Sequence, residues 1–213
     1  MVLLDLVGLQ EMQAKDTNNF YFKLYKPYGY VSQFITNDKM AKKKRFLGEL
    51  HDFPAKTMAV GRLDEPSEGL LFLTTDGHYS NYICSAGVAK EYYAQVDGII
   101  TEKAIDRLQK GVVIRVNGNE YTTKPCAALK IAIPHLPERG QKIRDDRHGP
   151  TSWVSITITE GKFRQVRKMT AAVGFPTLRL VRYRIGSETI SGMNAGDVLP
   201  MKVIGADFEG AKD

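Results

Sequence analysis

Met58-Ala59-Val60-Gly61-Arg62-Leu63-Asp64-Glu65-Pro66-Ser67-Glu68-Gly69-Leu70-Leu71-Phe72-Leu73 sets two short apolar runs on either side of a polar loop. Met58 to Val60 and Leu70 to Leu73 are bounded by Gly, Pro and Asp, and are read as short buried strands. Asp64 falls where the first strand ends and the loop begins, ahead of the turn-forming pair Glu65-Pro66. Binding and catalytic groups concentrate on such loops. Taken alone, Asp64 is better explained as a turn aspartate hydrogen-bonded to its own backbone.

Outward from this loop the chain is strand-rich. Upstream, Phe20 to Tyr25 reads as an aromatic strand stopped by Pro27 and Gly29. Val31 to Ile35 is expected to be extended, Lys39 to Arg45 an exposed charge run, and Phe46 to Phe53 a short helix. Downstream, a short helix near His78 to Cys84 precedes a strand from Glu91 to Val96. Thr101 is a candidate N-cap for a helix over Glu102 to Lys110, which Gly111 stops. Strands follow at Val112 to Val116 and Ala127 to Ile133, then a long surface loop from Pro134 to Pro150. Trp153 to Thr159 alternates as a strand with one buried face.

From Phe163 to Val173 the spacing predicts a helix with Phe163, Val166, Met169 and Val173 on its apolar side and Arg164, Arg167 and Lys168 opposite. Gly174 ends it, and Leu178 to Ile185 forms another strand carrying Arg179, Arg182 and Arg184. The fold class expected is α+β, with a mixed, mostly antiparallel sheet and short helices. Residues 1–19 are expected to be a loosely ordered leader, 20–207 the folded domain, and 208–213 a tail.

The chain has 213 residues, 43% of them hydrophobic, enough to bury a core as one domain or as two small lobes around a shared cleft. Its formal charge is +6, and the excess is clustered: seven basic residues and no acid lie between Gly161 and Ser187. A field of one sign attracts polyanions, nucleic acid first among them, although a solvated basic face accounts for the charge equally well. Cys84 and Cys126 are far apart and outside any Cys-x-x-Cys spacing, which argues against a disulfide framework or a structural zinc. His51, His78, His135 and His148 are scattered, so no metal is expected. An early acid and a short apolar run at the N-terminus do not make a signal peptide, and no apolar stretch is long enough to span a bilayer. The expected location is the cytoplasm.

Four collinear stretches resemble one family, the RNA pseudouridine synthases of the small-subunit and large-subunit rRNA branch. They are Lys26-Pro27, the run Gly61-Arg62-Leu63-Asp64 continuing to Asp76-Gly77, Lys90-Glu91-Tyr92, and Glu160-Gly161-Lys162-Phe163-Arg164-Gln165-Val166-Arg167-Lys168-Met169. The resemblance runs from about Tyr21 to Val198. Many relatives carry an S4-type RNA-binding domain before the lysine-proline motif, and the 25 residues before Lys26 are too few for one. Ser67 stands where many relatives have Thr, and Phe163 where a polar residue is usual.

The resemblance implies a catalytic fold of two subdomains around a central cleft. It also implies conversion of a uridine in 23S rRNA, free or within a large-subunit assembly intermediate, by a monomer without a cofactor. Asp64 would attack C1′ or abstract a sugar proton. Arg167 would hold that carboxylate charged as a bidentate partner, Tyr92 would stack on the uracil, and Arg62 would hold the nucleotide out of its helix. Lys26, Lys162, Arg164, Lys168, Arg179 and Arg182 are expected to bind the substrate backbone. The alternative is a noncatalytic RNA-binding or ribosome-assembly protein, which explains the charge but not the Gly61 to Gly77 run. A glycosidase would need a second carboxylate at a defined separation, which the sequence does not single out.

Overall fold

A computed structural model describes residues 19–35, 43–85, 87–143 and 146–204. The expected leader up to residue 18, most of the charge run beginning at Lys39, and the tail 208–213 lie outside these residues. In chain order the strands are β1 (Tyr21–Lys26), β2 (Tyr30–Val31), β3 (Arg45–Phe46), β4 (Met58–Ala59) and β5 (Glu68–Thr74). Helix α1 (Gly77–Ser85), β6 (Lys90–Asp97) and α2 (Glu102–Lys110) follow, then β7 (Val113–Val116), β8 (Asn119–Thr122) and β9 (Ala127–Ile131). The chain closes through β10 (Thr151–Ile158), α3 (Gln165–Ala172), β11 (Thr177–Ile185), β12 (Glu188–Thr189) and β13 (Val198–Pro200).

The fold is α+β, as expected. One nine-stranded sheet runs in the order β13-β1-β5-β11-β6-β10-β9, with β4 added to β5 and β12 to β11. Every pairing in it is antiparallel except β5 with β11. That junction is tight. Gly69 in β5, opposite Arg182 in β11, has φ +102° and a Cβ there would lie 2.3 Å from the Arg182 carbonyl oxygen, so only glycine fits. Tertiary packing thus dictates a glycine at the second residue of β5, just ahead of its apolar run.

β5 is buried on both faces, which is why it reads as a continuous apolar run. Leu70 and Phe72 pack with Tyr25, Tyr79, Ile83 and Val181, whereas Leu71 and Leu73 pack with Leu24 and Leu47. A second large core forms where α2 and α3 cover β6, β9 and β10, around Leu108, Val154, Ile156 and Met169. The cap expected for α2 is present: Thr101 Oγ1 accepts from the Ala104 amide at 3.3 Å.

Phe46 to Phe53 is not a helix. It is β3 followed by a single 3-10 turn over Leu47–Glu49, with the Glu49 carboxylate accepting from the Phe46 amide at 2.7 Å. A lone turn is costly to nucleate, and the aromatic rings of Phe22, Phe34 and Phe53 draw the following residues into an edge-to-face cluster instead. The extended stretch expected over Val31 to Ile35 pairs only at Tyr30–Val31. α3 starts at Gln165, so Phe163 lies before it and is 65% exposed, contrary to its expected place on the apolar face. The unexpected β7–β8 hairpin turns at Asn117 and Gly118, both with positive φ, the backbone that a tight hairpin loop demands.

Candidate active site

The β4–β5 loop, the end of α1, the start of α3, and the paired strands β6 and β11 enclose a cleft of about 890 Å³, open mouth included. Asp64, Arg62, Tyr92, Lys162, Arg164 and Arg182, drawn from stretches far apart in sequence, all line it.

The loop carrying Asp64 is tied down at nearly every residue. Ser32 Oγ accepts from the Leu63 amide at 2.9 Å and donates to the Leu63 carbonyl at 2.8 Å. The Ser67 amide donates to the Asp64 carbonyl at 2.9 Å. Lys26 is fully buried, and its Nζ donates to the carbonyls of Pro27 (2.9 Å), Glu65 (3.4 Å) and Ser67 (2.8 Å). Burial pushes the Lys26 ammonium down to about 7, against the opposing pull of Glu68 and Glu65. Lys26 is therefore not a contact for the RNA backbone: its amine is spent on loop carbonyls and no phosphate can reach it.

Two arginines face the Asp64 carboxylate. Arg164 Nη1 lies 3.3 Å from Oδ2 and Arg167 Nε 3.8 Å from the same oxygen. The expected bidentate pairing with Arg167 is not formed, because Arg167 spends its Nη2 on the Pro66 carbonyl (3.3 Å) and Ser67 Oγ (3.1 Å). Burial, and then the neighbouring charge of Arg164, lower the Arg167 pKa from its ordinary value. Arg164 reaches the cleft because its backbone is left-handed, with φ 53°, just ahead of α3. Glu160 and Gln165 build that turn: Gln165 Nε2 donates to Glu160 at 2.6 Å, and its Oε1 accepts from the Lys162 amide at 2.9 Å. Glu160 also accepts from Tyr121 Oη and the Lys124 amide.

Tyr92 faces the cleft from β6, while the neighbouring Tyr93 points to the opposite side of the sheet and stacks on Tyr183 with centroids 4.4 Å apart. Arg62 and Lys162 are exposed at the rim, and Lys162 also lies over the Tyr121 ring. Lys168 lies outside the cleft, over Phe163. Arg179 does not face an RNA backbone either: it is buried in a two-pronged pair with Glu68 (3.0 and 2.9 Å) and donates to the Pro137 carbonyl. Arg139, from the long loop, joins the same Glu68 at 3.5 Å. Arg182 is buried as well, at the floor of the cleft. Sequence reading gave no role to Ser32, Glu68, Arg139 or Lys90. Only Lys90 carried a signal, two residues before Tyr92 and so on the same strand face.

A family profile described as RNA pseudouridylate synthase matches residues 21–172. The chain is 39% identical over 174 residues to a ribosomal large subunit pseudouridine synthase E from Vibrio parahaemolyticus, covering 80% of this chain and 69% of the relative. It is 39% identical over 176 residues to a protein of the same name from Xanthomonas campestris pv. campestris, covering 81% and 90%. Among solved structures it resembles a pseudouridylate synthase crystal structure with a TM-score of 0.67 and 28% identity, over 86% of this chain and 70% of that one. Sequence and fold agree across most of its length, and the chain belongs to the RNA pseudouridine synthases of the ribosomal small- and large-subunit branch.

Proposed function

We propose that this enzyme converts a uridine of 23S rRNA to pseudouridine, with Asp64 acting directly on the sugar of the target nucleotide. The observation that carries the reading is the Asp64 carboxylate, alone in the cleft among the described residues, on a loop held by Lys26 and Ser32 and flanked by Arg164 and Arg167. Two guanidinium groups beside one carboxylate orient it and pair with its charge, and both attack at C1′ and abstraction of a sugar proton use a carboxylate so placed. The reaction breaks the C1′–N1 bond, turns the base, and joins C5 to C1′. The C5 proton is lost and N1 gains one, so no electrons are exchanged with a cofactor.

Tyr92 would support the uracil ring, Arg167 would fix Asp64, and Arg62 would hold the everted nucleotide, where unstacking costs a few kcal/mol. Lys162 and Arg164 at the mouth, with Lys168 beyond it, would meet the phosphates. The large-subunit target is supported by the names of the relatives above. In this reading the catalytic unit spans residues 20–207 as two subdomains flanking the cleft, between a leader and a short tail. It works as a monomer in the cytoplasm, on free rRNA or an assembly intermediate. Among the described residues no helix is long and apolar enough to cross a membrane.

The test is to map pseudouridines in rRNA from cells lacking the protein. Loss of one 23S rRNA site, restored by re-expression, is the expected result. An unchanged map in both subunits would refute the reading, and a single missing site in small-subunit rRNA would redirect it.

A further inference from the structure

Arg182 is 3% exposed and its one hydrogen bond runs from Nε to the Leu70 carbonyl at 2.6 Å. Neither terminal nitrogen has a partner among the described residues, and Nη2 is wholly covered. Among the described residues no carboxylate pairs with this guanidinium, and two further amines, the buried Lys26 and the half-buried Lys90, lie within reach of its charge. Lys90 is itself committed, donating to the carbonyls of Val88 at 2.8 Å and Ile83 at 3.3 Å. A buried cation without an anion is costly, and a fold retains one where a ligand supplies the missing acceptor.

The acceptor's place follows from register. Arg182 in β11 is directly opposite Tyr92 in β6, so both side chains stand on the same face of the sheet, and both line the cleft that holds Asp64. Beside them the cleft is lined by the apolar side chains of Ile83, Leu180 and Ile185, and the nearby Lys90 amine is spent on backbone carbonyls. A phosphate would have to shed its hydration to lie there, while Arg62, Lys162 and Arg164 offer it exposed cations at the mouth. A planar base is the part of a nucleotide that suits the floor.

We propose that Arg182 is a catalytic residue that binds the base, a terminal guanidinium N–H donating to a uracil carbonyl oxygen, O2 or O4. The proposal rests on the pseudouridine reading above. When the C1′–N1 bond breaks, its electron pair leaves with the uracil and the negative charge spreads over N1, O2 and O4. A fixed cation in a water-poor floor stabilises that detached base and keeps it in place while it turns. Bonding of C5 to C1′ returns the pair to carbon, the C5 proton goes to a base, and N1 takes a proton.

The test uses an RNA fragment spanning the mapped target, synthesised with uridine, 2-thiouridine or 4-thiouridine at that position, because sulfur is a poor hydrogen-bond acceptor. Single-turnover rates come from chromatography of the digested nucleosides, and Kd from filter binding. We expect Arg182→Gln to lower the rate on uridine by about a hundredfold with Kd within about twofold, and Arg182→Lys to recover part of it. Sulfur at one of the two positions should slow the wild type by about tenfold, yet slow Arg182→Gln and Arg182→Lys by less than about threefold. If neither sulfur slows the wild type, the contact does not exist, a result that needs no variant to fold. Equal sulfur effects in wild type and variants would also overturn it, as would a variant that weakens binding and leaves the rate unchanged, which marks a phosphate contact. Wild type that leaves the uridine fragment unconverted overturns the underlying function as well.

Discussion

At the scale of the residue, basic side chains of similar sequence context do different work. Arg167 touches the Asp64 loop at three atoms, whereas Lys168, the next residue, projects over Phe163 outside the cleft. Arg167→Ala should therefore lower the single-turnover rate far more than RNA affinity. Lys168→Ala should weaken binding and reduce the slope of log K against log salt by up to about 1 with little change in rate. Equal effects from both would break the link between Arg167 and Asp64. Lys26 tests the loop from beneath. Its folded pKa, about 7, lies below its ordinary 10.5. The unfolded chain therefore binds more protons across that window, and the Lys26 contribution to stability rises with pH from about 7 towards 10.5. Lys26→Met should lose that rise and strand three carbonyls, which calorimetric melting of both proteins across this range would detect. A parallel pH dependence in wild type and variant would show Lys26 to be charged in the folded protein throughout.

At the scale of the element, the β5–β11 junction places the Asp64 loop beside the Tyr92 strand. Gly69→Ala would press a methyl group into the Arg182 backbone and should cost ~2 kcal/mol or more of stability together with activity. A Gly69→Ala protein with unchanged melting temperature would show that the two strands can part without loss. Elements with strong local signals were legible in the sequence. Thr101 and Gly111 bounded α2 correctly, and the apolar run at Leu70 marked β5. The turn over Leu47–Glu49 was misread because aromatic packing between distant residues, not local periodicity, decides it. The β7–β8 hairpin had a local signal, Asn117-Gly118, that was overlooked.

At the scale of the whole molecule, the collinear motifs are explained by where the sheet delivers them. Asp64 precedes β5, Tyr92 lies in β6, and Arg164 precedes α3, so three separate segments meet at one cleft, while Lys26 at the end of β1 holds the Asp64 loop from beneath. The residues that motifs named were legible, but their division of labour was not. Lys26, Arg179 and Arg182 look like surface cations in the sequence, and burial alone turns them into loop anchor, ion-pair partner and cleft floor. Glu68 and Arg139 form a buried cluster with Arg179 that no linear pattern announces, since it depends on a loop crossing from Pro137 to Arg139. The central claim is that one carboxylate performs the chemistry on RNA that the rest of the protein binds. Its most direct measurement compares wild type and Asp64→Asn for pseudouridine formed in 23S rRNA transcripts and for RNA affinity. Asp64→Asn should form no detectable product while remaining folded and binding RNA with affinity close to wild type. Normal conversion by that variant would contradict it.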